Sequence, residues 1–216
     1  MAKPQSTFRN MVVALLGVTL IASATLGLVY DVTKAPIEKA GMEKQTRAIA
    51  DVLPEFDSLG TPYKLLPTDG KDSIEVFPAL DKDNKEIAKA IKTYIYKGFS
   101  GYIEVMVGID KQGTISGFSV LKHAETPGLG SKMNEWFSNV EKPSQNIIGL
   151  KLGNESLKVS KDGGSVDAIT AATITSRAFL DAINRANATA NSQYLINGNS
   201  AATEKAGNSD KQIQNR

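Results

Sequence analysis

The sequence predicts an α+β protein: one long apolar helix at the amino terminus, then a single domain whose antiparallel sheet is flanked by helices. Three observations predict it. "NMVVALLGVTLIASATLGLVY", Asn10–Tyr30, has neither charge nor proline and matches the roughly 20 residues a helix needs to cross a bilayer. Ile103, Val105, Val107 and Ile109 alternate, "DKQG" (Asp110–Gly113) turns, and Ile115, Phe118 and Val120 return, which is the pattern of a hairpin. Near the carboxyl end Phe179, Ala182, Ile183 and Ala186 recur at helical spacing. Strands paired in hairpins beside helices, not alternating with them, separate this class from doubly wound α/β folds.

Taken in order, residues 1–9 are a short cytoplasmic amino terminus and 10–30 a transmembrane anchor. Lys3 and Arg9 precede the apolar run and favour a cytoplasmic start. Ala22-Ser23-Ala24 resembles a signal-peptidase site, so a cleaved signal peptide is the rival reading. Against cleavage, the apolar run continues through Leu26, Leu28, Val29 and Tyr30. Either reading sends the rest of the chain across the membrane. Residues 31–57 form a helical stalk, with Ile37, Ala40, Ala48, Ile49, Val52 and Leu53 as its apolar stripe, Pro36 near its start and Pro54 at its end.

The domain proper covers 58–196. Ser58–Asn84 is rich in Pro, Gly, Asp and Lys, with a short strand over Ile74–Phe77. "EIAKAIKTYIYKGFSG" then leads into the hairpin. A helix capped by Ser131 includes Trp136 and Phe137 and stops before Pro143. Leu157–Val159 and Val166–Ile169 are short strands joined by the "KDGG" turn. The last helix runs from about Ser176, capped by Thr175 or Ser176, to about Tyr194. Residues 197–216 are polar and form a disordered tail.

Composition excludes several functions. A net charge of +2, from 25 basic and 23 acidic residues, leaves no electrostatic footprint for nucleic acid. With no cysteine and a single histidine there are no disulfides, thiolate metal sites, iron–sulfur clusters or bis-histidine haem. No metal site is expected, and His123 is read as a hydrogen-bonded side chain. Any redox chemistry must therefore reside on an organic cofactor.

Two stretches can carry chemistry. "SVDAITAATITSRAF" (Ser165–Phe179) brings hydroxyls, two small alanines and an aspartate to a helix entrance, where backbone amides can meet a phosphate. Its candidates are Asp167, Thr170, Ala171, Ala172, Thr173 and Thr175. The plainer account is a strand-to-helix turn with ordinary caps. "HAETPGLGSK" (His123–Lys132) has an irregular, glycine-broken backbone, with Glu125, Thr126, Gly128 and Leu129 available to a flat ligand. Its plainer account is a turn before a helix. No general acid, base or nucleophile is assembled, so no catalytic residue is assigned.

Together the two stretches resemble a known family. "DAITAAT" (Asp167–Thr173) resembles the flavinylation motif of bacterial FMN-binding domains: aspartate, two variable residues, serine or threonine, usually glycine, then alanine and threonine. "ETPGLG" (Glu125–Gly130), upstream of it, is similar to the G subunit of Rnf-type electron-transport complexes. The C subunit of the sodium-pumping NADH:quinone reductase is related to it. The resemblance implies FMN held as a phosphoester on Thr173. It implies attachment by a separate flavin transferase using FAD and magnesium, with Asp167 part of what that enzyme recognises. It further implies a single-pass protein of the bacterial inner membrane with its domain on the periplasmic or extracytoplasmic side. Such a chain is an electron carrier among the other subunits of an ion-translocating complex of the ferredoxin:NAD oxidoreductase type, not catalytic alone. Ala171 departs from the motif, since glycine is usual there. The alternatives are a flavinylated extracytosolic reductase component and a non-redox membrane-anchored binding module.

Overall fold

The computed structural model describes residues 7–67, 72–153 and 156–191. The polar tail, the last residues expected in the final helix and most of the short amino terminus lie outside the described residues. The chain divides into two compact units, Met1–Lys44 and Gln45–Arg216.

The first helix, α1, is Phe8–Val52. It is unbroken from the apolar run into the segment expected to be a stalk. Pro36 lies inside it and lacks the N–H that would meet the carbonyl four residues earlier. Only this helix is long and apolar enough to cross a membrane among the described residues. Within the first unit, large apolar side chains such as Leu20, Ile21, Leu26 and Leu28 are exposed to the surroundings. Of the expected stalk stripe, Ala48, Ile49, Val52 and Leu53 are buried, whereas Ile37 is exposed.

The second unit is built on a six-stranded sheet in the order β1-β3-β4-β5-β6, with β2 also paired to β3. The strands are β1 (Ser58–Leu59), β2 (Tyr63–Leu65), β3 (Ile74–Leu80), β4 (Glu86–Gly98), β5 (Gly101–Asp110) and β6 (Ile115–His123). All the pairings are antiparallel. The β5–β6 turn falls on "DKQG": Asp110 Oδ1 accepts the N–H groups of Gln112 and Thr114 at 2.8 and 2.7 Å. Among the described residues the unit also holds the end of α1 and the helices α2 (Met133–Phe137) and α3 (Thr173–Ala190).

Both sheet faces are covered. Ile103, Val105, Val107 and Ile109 pack with Phe137, Phe179, Leu180 and Ile183 of α2 and α3. Phe179 is the centre of this layer, stacked on Phe137 at 4.5 Å and edge-on to Phe118 at 5.1 Å. On the opposite face Phe77, Ala79, Ala88, Ala90 and Met106 meet Ala48, Ile49 and Val52.

Several expected elements differ. Glu86–Gly98, given no element by the sequence, is the longest strand. Ala88 and Ala90 belong to one core and Ile91 and Ile95 to the other, so covering on both faces erases the apolar–polar alternation. The strand over Ile74–Phe77 extends to Leu80. Leu157–Val159 and Val166–Ile169 do not form strands: a single Val159–Val166 bridge joins them. The Asp167 N–H instead donates to the Ser144 carbonyl at 2.7 Å, which takes the chain off any strand path. The helix expected from Ser131 is only Met133–Phe137, preceded by a 3₁₀ turn, and Asn139 follows it, accepting the Glu141 N–H at 3.0 Å. Ser131 does not cap it; its hydroxyl accepts the Gly128 N–H. The last helix begins at Thr173, one turn earlier than expected, with Ala172 at its cap position and no side-chain cap.

Candidate functional site

Three stretches of the second unit converge on a cavity of about 400 Å³. Phe99 comes from the β4–β5 turn. Glu125, Thr126, Leu129 and Gly130 come from the loop after β6. Ala171, Ala172, Thr173, Ile174 and Thr175 come from the entrance to α3. The walls are largely apolar with a few placed polar groups, the usual make-up of a small-molecule site.

Local chemistry shapes each stretch. The β4–β5 turn needs Gly101, whose φ of 97° lies in the left-handed region. In the loop after β6, the Glu125 N–H donates to His123 Nδ1 at 3.2 Å, the hydrogen bond expected of that histidine. The Glu125 side chain is buried, at 4% exposure. Its Oε1 accepts the Ser100 N–H at 2.9 Å and its Oε2 accepts the Thr175 hydroxyl. Glycines make room for it. A Cβ on Gly98 would lie 2.7 Å from Oε1, and one on Gly130 would lie 2.8 Å from Oε2. One carboxyl therefore ties the hairpin tip to α3.

The entrance to α3 is held by its hydroxyls, but not as expected. The Ser176 hydroxyl accepts the Ile169 N–H at 2.9 Å and donates to the Ala172 carbonyl at 3.0 Å. Thr175 is committed to Glu125. Neither caps the helix, because both lie within its first turns. Ala171 adopts φ 60°, a conformation natural to glycine, at the position where the motif usually has glycine.

Upstream, Asp167 is held at its carboxylate and at its carbonyl. Its carboxylate accepts the Ser160 hydroxyl at 2.6 Å and the Ser144 hydroxyl at 2.7 Å. Its carbonyl accepts the Trp136 indole N–H at 2.9 Å. The hydrogen bonds from Ser160 and then Ser144 hold its carboxyl below the usual aspartate range. Next to it the 3₁₀ turn Ser160–Asp162 is pinned to α3 by two Arg177–Asp162 hydrogen bonds of 2.7 Å. That turn carries Lys161, whose ammonium lies 3.5 Å from the Thr173 hydroxyl oxygen.

Of the residues singled out from sequence, Glu125, Thr126, Leu129, Ala171, Ala172, Thr173 and Thr175 line the cavity. Asp167, Thr170 and Gly128 do not: Asp167 braces the loop from behind, Thr170 is exposed and Gly128 has φ 77° in its turn. Gly130, read from sequence as part of the glycine-broken backbone, also lines the cavity, and three contributors were missed: Phe99, Ile174 and Lys161. Phe99, at 67% exposure in the Gly98–Gly101 turn, was the most visible of them, since a large apolar side chain on a hairpin tip asks for a partner. Lys161 had no such signal. Among the described residues no cluster of His, Cys, Asp and Glu is suited to a metal ion.

Residues 98–188 match the family model described as FMN-binding domain. The G subunit of the ion-translocating oxidoreductase complex of Shewanella amazonensis is 33% identical over 175 residues, covering 78% of this chain and 81% of that protein. The corresponding G subunit of Methanosarcina acetivorans is 31% identical over 179 residues, covering 82% and 91%. Among solved structures, Shewanella oneidensis NqrC aligns over 63% of this chain and 66% of its own at 24% identity, with a TM-score of 0.42. The chain belongs to the family of G subunits of ion-translocating oxidoreductase complexes, with an FMN-binding domain over residues 98–188.

Proposed function

We propose that this chain is a membrane-anchored electron carrier that holds FMN as a phosphoester on Thr173 and relays electrons among the subunits of an ion-translocating oxidoreductase complex. The observation that carries this is the position of the Thr173 hydroxyl. It is half-buried in the cavity wall, on the first residue of α3, with the Lys161 ammonium 3.5 Å away. The first N–H groups of a helix have no intrahelical acceptor, so an anion is favoured there. Lys161 adds a formal positive charge at the same point.

The cavity suits the rest of the cofactor. Phe99, Leu129 and Ile174 offer apolar surface to a flat ring, and Ala171 and Ala172 add little side-chain bulk at the entrance. FMN, once attached, supplies one- and two-electron chemistry, while the protein positions it and tunes it. Attachment balances simply. The Thr173 oxygen bonds to the flavin-side phosphorus of FAD, the phosphoanhydride bond breaks, AMP leaves with the bridging oxygen, and the hydroxyl proton is released. A separate flavin transferase with magnesium performs this step, and Asp167 serves it by holding Val166–Thr173 in shape. The domain lies on the extracytoplasmic side, where a covalent flavin never needs replacing from a free pool.

In-gel flavin fluorescence after denaturing electrophoresis tests the reading. Wild type made with an active transferase should fluoresce, and Thr173→Ala should not, because a methyl group has no oxygen to bond phosphorus. A fluorescent Thr173→Ala band would move the ester elsewhere.

A further inference from the structure

Glu125 is a buried carboxyl in the wall of an apolar cavity, and the electron-carrier role gives it no task. Among the described residues no Lys, Arg or His forms an ion pair with it. It is held by two neutral donors alone, the Ser100 N–H and the Thr175 hydroxyl. Burying a carboxyl without a counter-ion is unfavourable, and a glutamine would make a similar pair of hydrogen bonds without the charge. Gly98 and Gly130 lie against its two oxygens, so the side chain is closely enclosed at this point.

We infer that Glu125 is a tuning residue that holds the midpoint potential of the bound flavin down. This rests on FMN occupying the cavity as proposed above. Each electron placed on the ring without a proton adds one negative charge. A carboxylate in the same wall repels that added charge and so disfavours the reduced form. The Thr175 hydroxyl acts with it. By donating to Oε2 it withdraws part of the carboxylate's charge and so sets how strongly the ring feels it.

The arrangement makes two variants move the potential in opposite directions, which a purely structural brace does not do. Glu125→Gln keeps the shape, with its amide oxygen accepting the Ser100 N–H and its NH₂ donating to the Thr175 oxygen, but removes the charge. Its flavin should be easier to reduce, with the midpoint shifted to a more positive value. Thr175→Val keeps the charge and removes the hydrogen bond that spreads it. Its flavin should shift to a more negative value.

The experiment is spectroelectrochemical titration, with redox mediators, of the full-length flavinylated protein in detergent. It compares wild type, Glu125→Gln and Thr175→Val. Opposite shifts support the inference; equal midpoints in the wild type and Glu125→Gln overturn it and leave the flavin reading intact. Should Glu125→Gln not accumulate, Thr175→Val carries the test, with a lowered midpoint expected and an unchanged or raised one contrary. A wild type that carries no flavin beside an active transferase overturns the flavin reading, and this inference with it.

Discussion

Ala171 sits at φ 60°, in a region that L-residues other than Asn and Asp rarely adopt. Its strain is set by the turn that brings Thr173 to the cavity. Ala171→Gly should therefore raise stability by about 1 kcal/mol, the cost of a left-handed alanine less the added freedom of the unfolded chain. Urea unfolding of the detergent-solubilised protein measures it, and an unchanged midpoint would count against the strain. Asp167 supplies a second residue-level outcome. Its folded-state pKa is lowered by Ser160 and Ser144. Its stabilisation is thus complete above the unfolded value of about 3.9 and is lost as pH falls through the lower folded value. Trp136 is the chain's only tryptophan and donates to the Asp167 carbonyl, so its emission reports this loop. Below about pH 4 the wild-type emission should change, and Asp167→Asn should lose part of that change. The remainder belongs to Asp162, whose carboxyl Arg177 also holds low. Much of this was legible in "DAITAAT": the hydroxyl density and the alanine in a glycine position are sequence facts. Lys161 was not, because an isolated lysine in a turn acquires meaning only when the turn is folded back to 3.5 Å from Thr173.

The elements meet most tightly where β5 and β6 cross the end of α1. A Cβ on Gly108 would collide with the Val52 carbonyl oxygen, and one on Gly117 would fall 2.9 Å from the Val52 Cα. The Ser116 hydroxyl donates to that same carbonyl at 2.6 Å, satisfying one of the acceptors a helix end leaves over. Gly108→Ala forces helix and sheet apart and should cost about 3 kcal/mol, the upper range for overpacking. A loss under about 1 kcal/mol in denaturant unfolding would mean the helix end shifts freely instead. The hairpin over β5 and β6 was legible because its apolar residues alternate and its turn carries aspartate and glycine. Strand β4 was not, because small alanines face one core and isoleucines the other, and no period survives. The helix caps misled for a related reason. Hydroxyls near a helix start usually cap it, but here Thr175 serves Glu125 and Ser176 serves Ile169.

At the scale of the whole molecule, the second unit holds the sheet, both of its helix layers and the cavity within Gln45–Arg216. A chain begun at Gln45 should fold, stay in solution without detergent and accept flavin, whereas the full chain should fractionate with membranes. Recovery of the protein in the soluble fraction after membrane preparation, with its mature start at Thr25, would point to the cleaved-signal reading. The anchor was the plainest feature of the sequence, since no water-facing surface tolerates an uncharged run from Asn10 to Tyr30. The cavity was legible only as two separate loops, because the third contributor, the hairpin tip with Phe99, depends on how the sheet turns. The central claim, a flavin phosphoester on Thr173, is tested most directly by peptide mass mapping of the protein purified after co-expression with a flavin transferase. The account predicts an FMN phosphoryl adduct on the peptide containing Ser165–Phe179, with fragment ions placing it on Thr173. An adduct on Thr170, Thr175 or Ser176, or an unmodified peptide beside an active transferase, would contradict it.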